Sequence, residues 1–275
     1  MAESMPDSNI LQILAELPDT APMPALFIGH GSPMNAISDN RWSSMWRRLG
    51  ERLPRPKAIV CISAHWLTPG ATAVTAMSTP KTIHDFGGFP QALFEQQYPA
   101  PGDPQLAQDI ARLLEKVDAT LDNDWGLDHG TWSVLLPMYP AADIPVVQVS
   151  IDYAKAPLFH YELATQLRTL RARGVLILGS GNIVHNLRAM RPDDSPHDWA
   201  LEFDAVIADY VNTNNWRAAA EFQSLGPLAR MAHPTYDHYL PLLYTLGVRD
   251  ARDSVVWFNE GFTYGSISMR SFALV

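Results

Sequence analysis

Three apolar runs along the chain each lead to a histidine. Residues 25–28 run into Gly29 and His30, residues 57–64 lead to His65, and residues 175–184 lead to His185. Short apolar runs bounded by turn residues are typical of strands buried on both faces of a sheet. Ligands of open parallel sheets gather beyond the carboxyl ends of the strands, so we expect these three histidines to converge.

The remaining pattern predicts helices and a few further strands around this sheet. Helical spacing of apolar residues predicts helices over residues 10–17, 40–53, 103–117, 133–138, 157–174, 196–212 and 215–225, and a short helix after His238. Period-2 and β-branched runs predict strands over residues 73–76 and 145–151, and an antiparallel hairpin from residues 254–258 and 266–272.

These elements predict an α/β fold. We expect a single domain with a mainly parallel central sheet flanked by helices, plus the C-terminal antiparallel hairpin. Residues 1–23 are interpreted as an N-terminal leader that is partly mobile, and residues 24–275 as one catalytic domain. The 275 residues, 47% of them hydrophobic, are enough for a sizeable core.

Charge and cysteine content narrow the function classes. The 20 Lys and Arg against 29 Asp and Glu give a net charge of −9, and no basic cluster favours a nucleic-acid partner. No apolar run approaches the length of a membrane span, and the acidic N-terminus does not resemble a secretory signal. The single cysteine, Cys61, lies in an apolar run, which favours a buried, inert thiol and a cytoplasmic location.

The histidines carry the candidate chemistry. A cluster of neutral imidazoles is costly unless something binds their lone pairs, and a divalent transition metal does so well. Such a site suits a zinc hydrolase or a non-haem iron oxygenase. Asp85, Asp128 and Asp237 each neighbour a histidine that they could orient, and one of them could itself be a ligand. His160 and His197 are interpreted as ordinary residues of surface helices.

Six segments, in this order, resemble one known family. They are GHGSPMN (29–35), SAHW (63–66), HDFGGFP (84–90), LDHGTW (127–132), GSGN with HNL (179–182 and 185–187), and HPT with His238 (233–235). Together they resemble the 4,5-DOPA extradiol dioxygenases, which belong to the class III, LigB-like, extradiol enzymes. The resemblance extends from about residue 24 to the C-terminus.

The resemblance implies a mononuclear metal at the ends of a mainly parallel sheet. His30 and His65 match the two histidine ligands, and His238 matches the position of a ligand glutamate in other class III enzymes. His185 matches the general base, although in this branch it could also be a fourth ligand. His129 matches a second acid–base residue. His84 and His233 are the replacements if one of these ligands is wrong.

The family also implies the cofactor and the partners. Non-haem Fe(II) is expected for catalysis, with Zn(II) as an alternative occupant, and the substrates are a small aromatic diol and O2. The chain could form a homo-oligomer. The residues expected to contact substrate are His84, Phe86, Phe89, Trp132 and Ser32, although the aromatic members could equally be packing residues. The alternatives are a zinc-dependent hydrolase and a non-catalytic, Memo-like binding protein.

Overall fold

A computed structural model describes residues 5–18 and 21–275 of the chain. The strands are β1 (Ala25–Gly29), β2 (Ala58–Ser63), β3 (Leu67–Thr68), β4 (Ala73–Thr75), β5 (Thr120–Asp122), β6 (Val146–Gln148), β7 (Ile151–Asp152), β8 (Val175–Gly181), β9 (Val255–Phe258), β10 (Phe262–Thr263), β11 (Ile267–Ser268) and β12 (Ser271–Leu274).

The helices connect these strands. They are α1 (Met5–Ala15), α2 (Arg41–Arg52), α3 (Gln91–Phe94), α4 (Pro104–Leu113), α5 (His129–Met138), α6 (Pro157–Ala164), α7 (Thr169–Ala172), α8 (Asp198–Asn212), α9 (Trp216–Ala220), α10 (Pro227–Ala232) and α11 (Leu240–Gly247). Within the described residues, none of them is both long enough and apolar enough to span a membrane.

Six strands form the central sheet, in the order β6-β2-β8-β1-β12-β9. The first four run parallel, β12 is antiparallel to β1, and β9 is antiparallel to β12. The predicted α/β fold, with its mainly parallel sheet and antiparallel C-terminal strands, is therefore confirmed. The carboxyl ends of β2, β8 and β1 are adjacent, with Ser63 beside Ser180 and Gly29 beside Gly181.

Alternate residues of each strand feed two apolar cores. In β1, Ala25 and Phe27 enter the core formed with α6, α8 and α11, whereas Leu26 and Ile28 enter the core formed with α1, α2 and α5. Both faces of the parallel strands are therefore buried, as the continuous apolar runs predict. The sheet is fixed from both sides, and its carboxyl edge is a rigid platform for the residues that follow.

The predicted strand over residues 145–151 is wrong in its extent, because the structure breaks it into β6 and β7. At the break, Val149 bridges to Val74, and the backbone N–H of Ala73 donates to Oγ of Ser150 over 2.7 Å. The chain then leaves the central sheet so that β7 pairs with β3.

Several other boundaries also differ from the predictions. The hairpin pairs β9 with β12, while β10 and β11 form a separate small hairpin inside the connection. The helix predicted over residues 157–174 is interrupted by a 3-10 turn. The helix predicted over residues 215–225 ends in a second 3-10 turn. Helix α4 ends at Leu113, and β3, β5 and α10 have no counterpart in the sequence prediction.

The N-terminal helix α1 covers more residues than predicted and packs on the domain. Ile10, Leu11 and Leu14 are buried in the core shared with α2 and α5. Apolar side chains at this helical spacing account for the docking. The helix contacts β9, so the antiparallel edge of the sheet is covered on that face.

His160 does not lie on a surface helix face as predicted. It is fully buried between α6 and α11, where its Nδ1 lies 3.0 Å from the hydroxyl of Tyr244. Burial lowers the pKa of His160 to about 4, although a backbone contact with Lys155 and the charge of Asp152 act in the opposite direction. The ring is therefore a neutral core residue at pH 7.

Replacing His160 with glutamine should make the fold less sensitive to acid. Because the pKa of His160 is lower in the folded chain, protons favour the unfolded chain as the pH falls from about 6.5 towards 4. Its contribution to the loss of stability between pH 7 and pH 5 is about 2 kcal/mol. Urea unfolding of both proteins in EDTA at these two pH values measures it. Equal losses of unfolding free energy in the two proteins would show that His160 is not the source of this acid sensitivity.

Candidate active site

The carboxyl edge of the sheet brings together histidines that are far apart in sequence. His30 directly follows β1, and its backbone N–H donates to the carbonyl of Gly181 over 3.0 Å. His65 lies two residues beyond β2, and His185 lies four residues beyond β8. His238 precedes α11, and its carbonyl accepts from the N–H of Asn182 over 2.8 Å, which fixes it beside the end of β8.

Three of these rings form a compact group. One ring nitrogen from each of His30, His65 and His238 lies within 4.8 Å of the others. The Nε2 atoms of His30 and His65 are 3.2 Å apart. The three ring centroids are separated by 4.9–5.2 Å. The convergence expected from the strand ends is therefore present for His30 and His65, and His238 completes the group.

The partner of each Nδ1 determines which nitrogen carries the proton. The hydroxyl of Ser180 donates to the carbonyl of Gly130 over 2.5 Å, so it must accept from Nδ1 of His30, 3.0 Å away. The Asp237 carboxylate accepts from Nδ1 of His238. The Asp85 carboxylate lies 3.5 Å from Nδ1 of His65. With the protons on Nδ1, all three Nε2 atoms carry lone pairs.

Burial keeps these rings neutral. Burial, followed by the charges of neighbouring histidines, lowers the pKa of His30 and His238 well below the usual value. Burial and His129 lower the pKa of His65 to about 3, although Asp85 acts in the opposite direction. Neutral imidazoles whose lone pairs face one another repel unless a cation lies between them. The donor set therefore fits a divalent transition metal.

Asp85 contacts two histidines at once. Its Oδ2 lies 3.0 Å from Nδ1 of His129 as well as 3.5 Å from Nδ1 of His65, and its Oδ1 accepts from the backbone N–H of His129 over 2.9 Å. Burial acts to raise the pKa of Asp85, but the hydrogen bond and charge of His129 and the charge of His65 outweigh it and lower the pKa. One carboxylate therefore orients both rings.

The start of α5 positions His129. Asp128 caps this helix, accepting from the N–H of Thr131 over 3.2 Å, while Ser63 donates to the same carboxylate over 2.6 Å. A Cβ at Gly130 would lie 2.3 Å from Oγ of Ser63 and 2.8 Å from Cδ2 of His65. Only glycine permits this close approach, which places His129 and His65 with ring centroids 3.8 Å apart.

His185 lies against the group without joining it. Its ring stacks on that of His238, with centroids 3.5 Å apart and planes 3° from parallel. Among the described residues, the set of mutually close ring nitrogens contains His30, His65 and His238 but not His185. Burial and His233 lower the pKa of His185 to about 4, against the influence of Asp237, so its ring is neutral at pH 7.

A cavity of about 310 Å³ opens above the histidines. It is lined by His30, Gly31, Ser32, Pro33, His65, Phe86, Phe89, His129, His185, Leu187, Met190, His238, Tyr264 and Ile267. The volume is at the lower end of the range for small-molecule sites, so the cavity suits a small ligand. The ring of Phe86 stands edge-on to that of His129, with centroids 5.5 Å apart.

The residues predicted to contact substrate divide into two groups. Phe86, Phe89 and Ser32 line the cavity, but His84 and Trp132 do not. Nε2 of His84 lies 2.9 Å from the carbonyl of Gln96, and the buried Trp132 donates its indole N–H to the carbonyl of Ile83 over 2.8 Å. Both pack behind Phe86 and support the cavity wall instead of forming it.

His233, considered above as a replacement ligand, also lies apart from the cavity. Its Nε2 lies 2.7 Å from the carbonyl of Ile183, and its ring packs against Phe203 and Tyr239. The sequence interpretation missed Ser180 and the outer lining residues Leu187, Met190, Tyr264 and Ile267. Ser180 lies in the apolar run over residues 175–184, which is predicted to be a strand leading to His185. Its place in that run is the sequence signal that could have identified it as a site residue.

Comparison with known proteins gives consistent similarities. A family described as the catalytic LigB subunit of aromatic ring-opening dioxygenase matches residues 24–274. A protein of Escherichia coli K12 named 4,5-DOPA dioxygenase extradiol is 50% identical over 258 residues, covering 90% of this chain and 93% of that protein. A Beta vulgaris protein of the same name is 35% identical over 256 residues, covering 90% and 94%.

A solved structure is also similar. It is that of an uncharacterized protein from Escherichia coli K12, with a TM-score of 0.79 and 42% identity, and the match covers 92% of this chain and 100% of that one.

Proposed function

Because the chain belongs to the LigB family of extradiol ring-opening dioxygenases, together with proteins named 4,5-DOPA dioxygenase extradiol, we propose that it opens the ring of a small catechol at one metal ion held by His30, His65 and His238. The observation that carries this proposal is the set of three neutral imidazoles whose lone pairs converge below an aromatic-lined cavity. Two further histidines, His129 and His185, line the same cavity.

Iron(II) is the proposed catalytic metal, since when bound it would supply the open coordination positions and the redox chemistry that a catechol and dioxygen require. The residues themselves hold the ring and move protons. Phe86 and Phe89 form an apolar wall that keeps water from one side of the ring. His185, neutral at pH 7, accepts a proton from a catechol hydroxyl.

His129 has the opposite role in this proposal. Its Nδ1 faces the Asp85 carboxylate, so its Nε2 is the nitrogen available to the cavity. From there it donates a hydrogen bond, and later a proton, to the oxygen that enters the ring. Asp85 holds the ring in place through its contacts with Nδ1 and with the backbone N–H of His129. In this pair, His129 is the proton donor and the Asp85 carboxylate is a fixed negative charge beside it.

The three-histidine set also favours one alternative, because zinc hydrolases use such sets to activate water. The test is anaerobic removal of metal, reconstitution with Fe(II) or Zn(II), and assay with a catechol panel in an oxygen electrode. We expect the Fe(II) protein to consume one O2 per catechol and the product mass to include both oxygen atoms.

The His30→Ala protein, treated identically, provides the background rate. No oxygen uptake with Fe(II), combined with ester or amide hydrolysis by the Zn(II) protein, would replace the dioxygenase with the hydrolase. Metal binding without either activity would instead favour a Memo-like binding protein.

A further inference from the structure

Two neighbouring chain segments contribute exposed residues to the mouth of the cavity. Met190 lines the cavity from one segment and Tyr264 lines it from the other, and both side chains are partly open to solvent. The N–H of Arg191 donates to the carbonyl of Tyr264 over 2.9 Å, and the N–H of His197 donates to the carbonyl of Gly265 over 3.0 Å. The backbone of Arg191 is therefore fixed beside the cavity mouth.

The side chain of Arg191 carries a charge that no neighbouring carboxylate neutralises. Its Cδ lies 3.2 Å from the place that a Cβ at Gly265 would take, so this glycine leaves the space for it. The exposed guanidinium donates to the carbonyl of Ser195 over 3.3 Å, and no ion pair between described residues includes it. A guanidinium has five N–H donors, so most of them remain available to a ligand.

A carboxylate also lies against Tyr264. Oδ1 of Asp194 accepts from the N–H of Tyr264 over 2.8 Å and from the hydroxyl of Thr263 over 3.3 Å. Both bonds use the same oxygen, so Oδ2 can still accept from a cation. Within the part of the chain that the structure describes, Asp194 and Arg191 do not pair with each other. The mouth therefore presents one positive and one negative group to a ligand.

The backbone of Tyr264 links these two groups. Its φ of 52° lies in the left-handed region, which a tyrosine rarely adopts. The hydrogen bonds with Arg191 and Asp194 hold it in this conformation. Non-glycine residues kept in this region cluster at binding sites, because the surrounding structure must enforce them. The positions of both charged residues relative to the cavity are thus set by backbone hydrogen bonds.

We propose that Arg191 and Asp194 bind the amino-acid head group of a catechol substrate. The planar guanidinium pairs with the carboxylate of the head group, and Oδ2 of Asp194 accepts from its ammonium. A substituent with both charges gains two partners, whereas a carboxylate alone also meets the like charge of Asp194. The inference rests on the proposed function, since it concerns a substituent of the same ring. It assigns substrate selection to two residues outside the cavity lining.

The main test compares kcat/KM of the Fe(II) protein for four catechols that share two side-chain carbons. They are 3,4-dihydroxyphenylalanine with both charges, 3-(3,4-dihydroxyphenyl)propanoate with the carboxylate alone, dopamine with the ammonium alone, and 4-ethylcatechol with neither. The amino acid should exceed 4-ethylcatechol by roughly 10–100-fold, the usual value of hydrogen bonds to charged groups. An equal or higher kcat/KM for 4-ethylcatechol would overturn the inference.

Two variants separate the two charges. Arg191→Gln should lower kcat/KM for the two carboxylate-bearing compounds by roughly 5–30-fold and leave the other two nearly unchanged. Asp194→Asn should lower it for the two ammonium-bearing compounds by roughly 2–5-fold, because an exposed ion pair contributes less. Its amide oxygen can still accept from the N–H of Tyr264. A loss that is equal for all four catechols would overturn the assignment of that residue.

Arg188→Gln is the matched control. Arg188 is an exposed arginine of the same segment, in the 3-10 turn over Leu187–Ala189 that Asn186 caps. Its pattern of kcat/KM across the four catechols should match that of the unaltered protein. An equal, carboxylate-selective loss in Arg188→Gln and Arg191→Gln would show a general effect of positive charge near the mouth, and the assignment to Arg191 would fail.

A binding measurement separates this inference from the proposed function. Anaerobic calorimetry with the Zn(II) protein reports affinity without turnover, and 3,4-dihydroxyphenylalanine should bind most tightly of the four. If catechols are consumed but neither rate nor affinity depends on the side-chain charges, the inference fails while the function stands. If no catechol is consumed, the function fails. An affinity for the amino acid that Arg191→Gln weakens would then still support the head-group site, and equal affinities for all four would refute it.

Discussion

Replacing His185 with alanine should leave metal affinity nearly unchanged and reduce catechol turnover by roughly 10²–10⁴-fold, the usual effect of removing a general base. The ring lines the cavity and stacks on His238, but its nitrogens lie outside the close group of three. Its pKa of about 4 keeps it neutral at pH 7, so it can take a proton from the substrate. Alanine removes this proton acceptor and leaves the three ligands.

Two measurements on the same protein distinguish a base from a fourth ligand. Titration with Zn(II) against a competing chelator gives the metal affinity, and oxygen uptake at saturating Fe(II) gives the turnover. Added imidazole should restore part of the activity of His185→Ala, because a small base can occupy the space. If the metal affinity falls as far as it does in His238→Ala, His185 is a ligand.

Replacing Asp85 with asparagine should lower metal affinity by roughly 10–100-fold, as losses of ligand-orienting carboxylates do. The physical reason is the tautomer of His65. An asparagine amide can present N–H donors to Nδ1, which favours the form with its proton on Nε2. That proton occupies the lone pair that would face the metal. The same change affects His129, so turnover should fall even when metal is saturating.

Asp237→Asn provides the matched comparison, because the Asp237 carboxylate accepts from Nδ1 of another of the three histidines, His238. Both variants should bind metal more weakly in the chelator titration. The loss of kcat once metal is saturating should be much larger in Asp85→Asn, since of these two carboxylates it is Asp85 that contacts His129. Equal kcat values in the two variants would show that Asp85 acts on metal binding alone.

The sequence predicts those parts of the fold in which local pattern and tertiary structure agree. The helix start at Asn40 follows directly from capping chemistry, since its side chain accepts from the N–H groups of Trp42 and Ser43. In contrast, the break after Gln148 depends on two contacts between distant segments, the bridge of Val149 to Val74 and the hydrogen bond from the N–H of Ala73 to Ser150. A β-branched run contains no signal for such a break.

The same distinction applies to the candidate site. Glycine-flanked histidines at the ends of apolar runs indicated where a cluster would form, and parallel strands brought His30 and His65 together. The double contact of Asp85 could not be predicted, because it depends on how the loop after residue 81 folds over α5. The cavity lining includes both Met190 and Tyr264, which are 74 positions apart in the chain, and neither segment has a regular pattern.

The loop over residues 84–90 has a thermodynamic consequence. It carries Asp85, which orients His65, and also Phe86 and Phe89, which line the cavity. Any ligand that holds these two rings in place also restricts the carboxylate beside them. We therefore expect the proposed metal and the proposed aromatic ligand to be heterotropic effectors of each other. By reciprocity, the factor by which one increases affinity for the other must be the same in both directions.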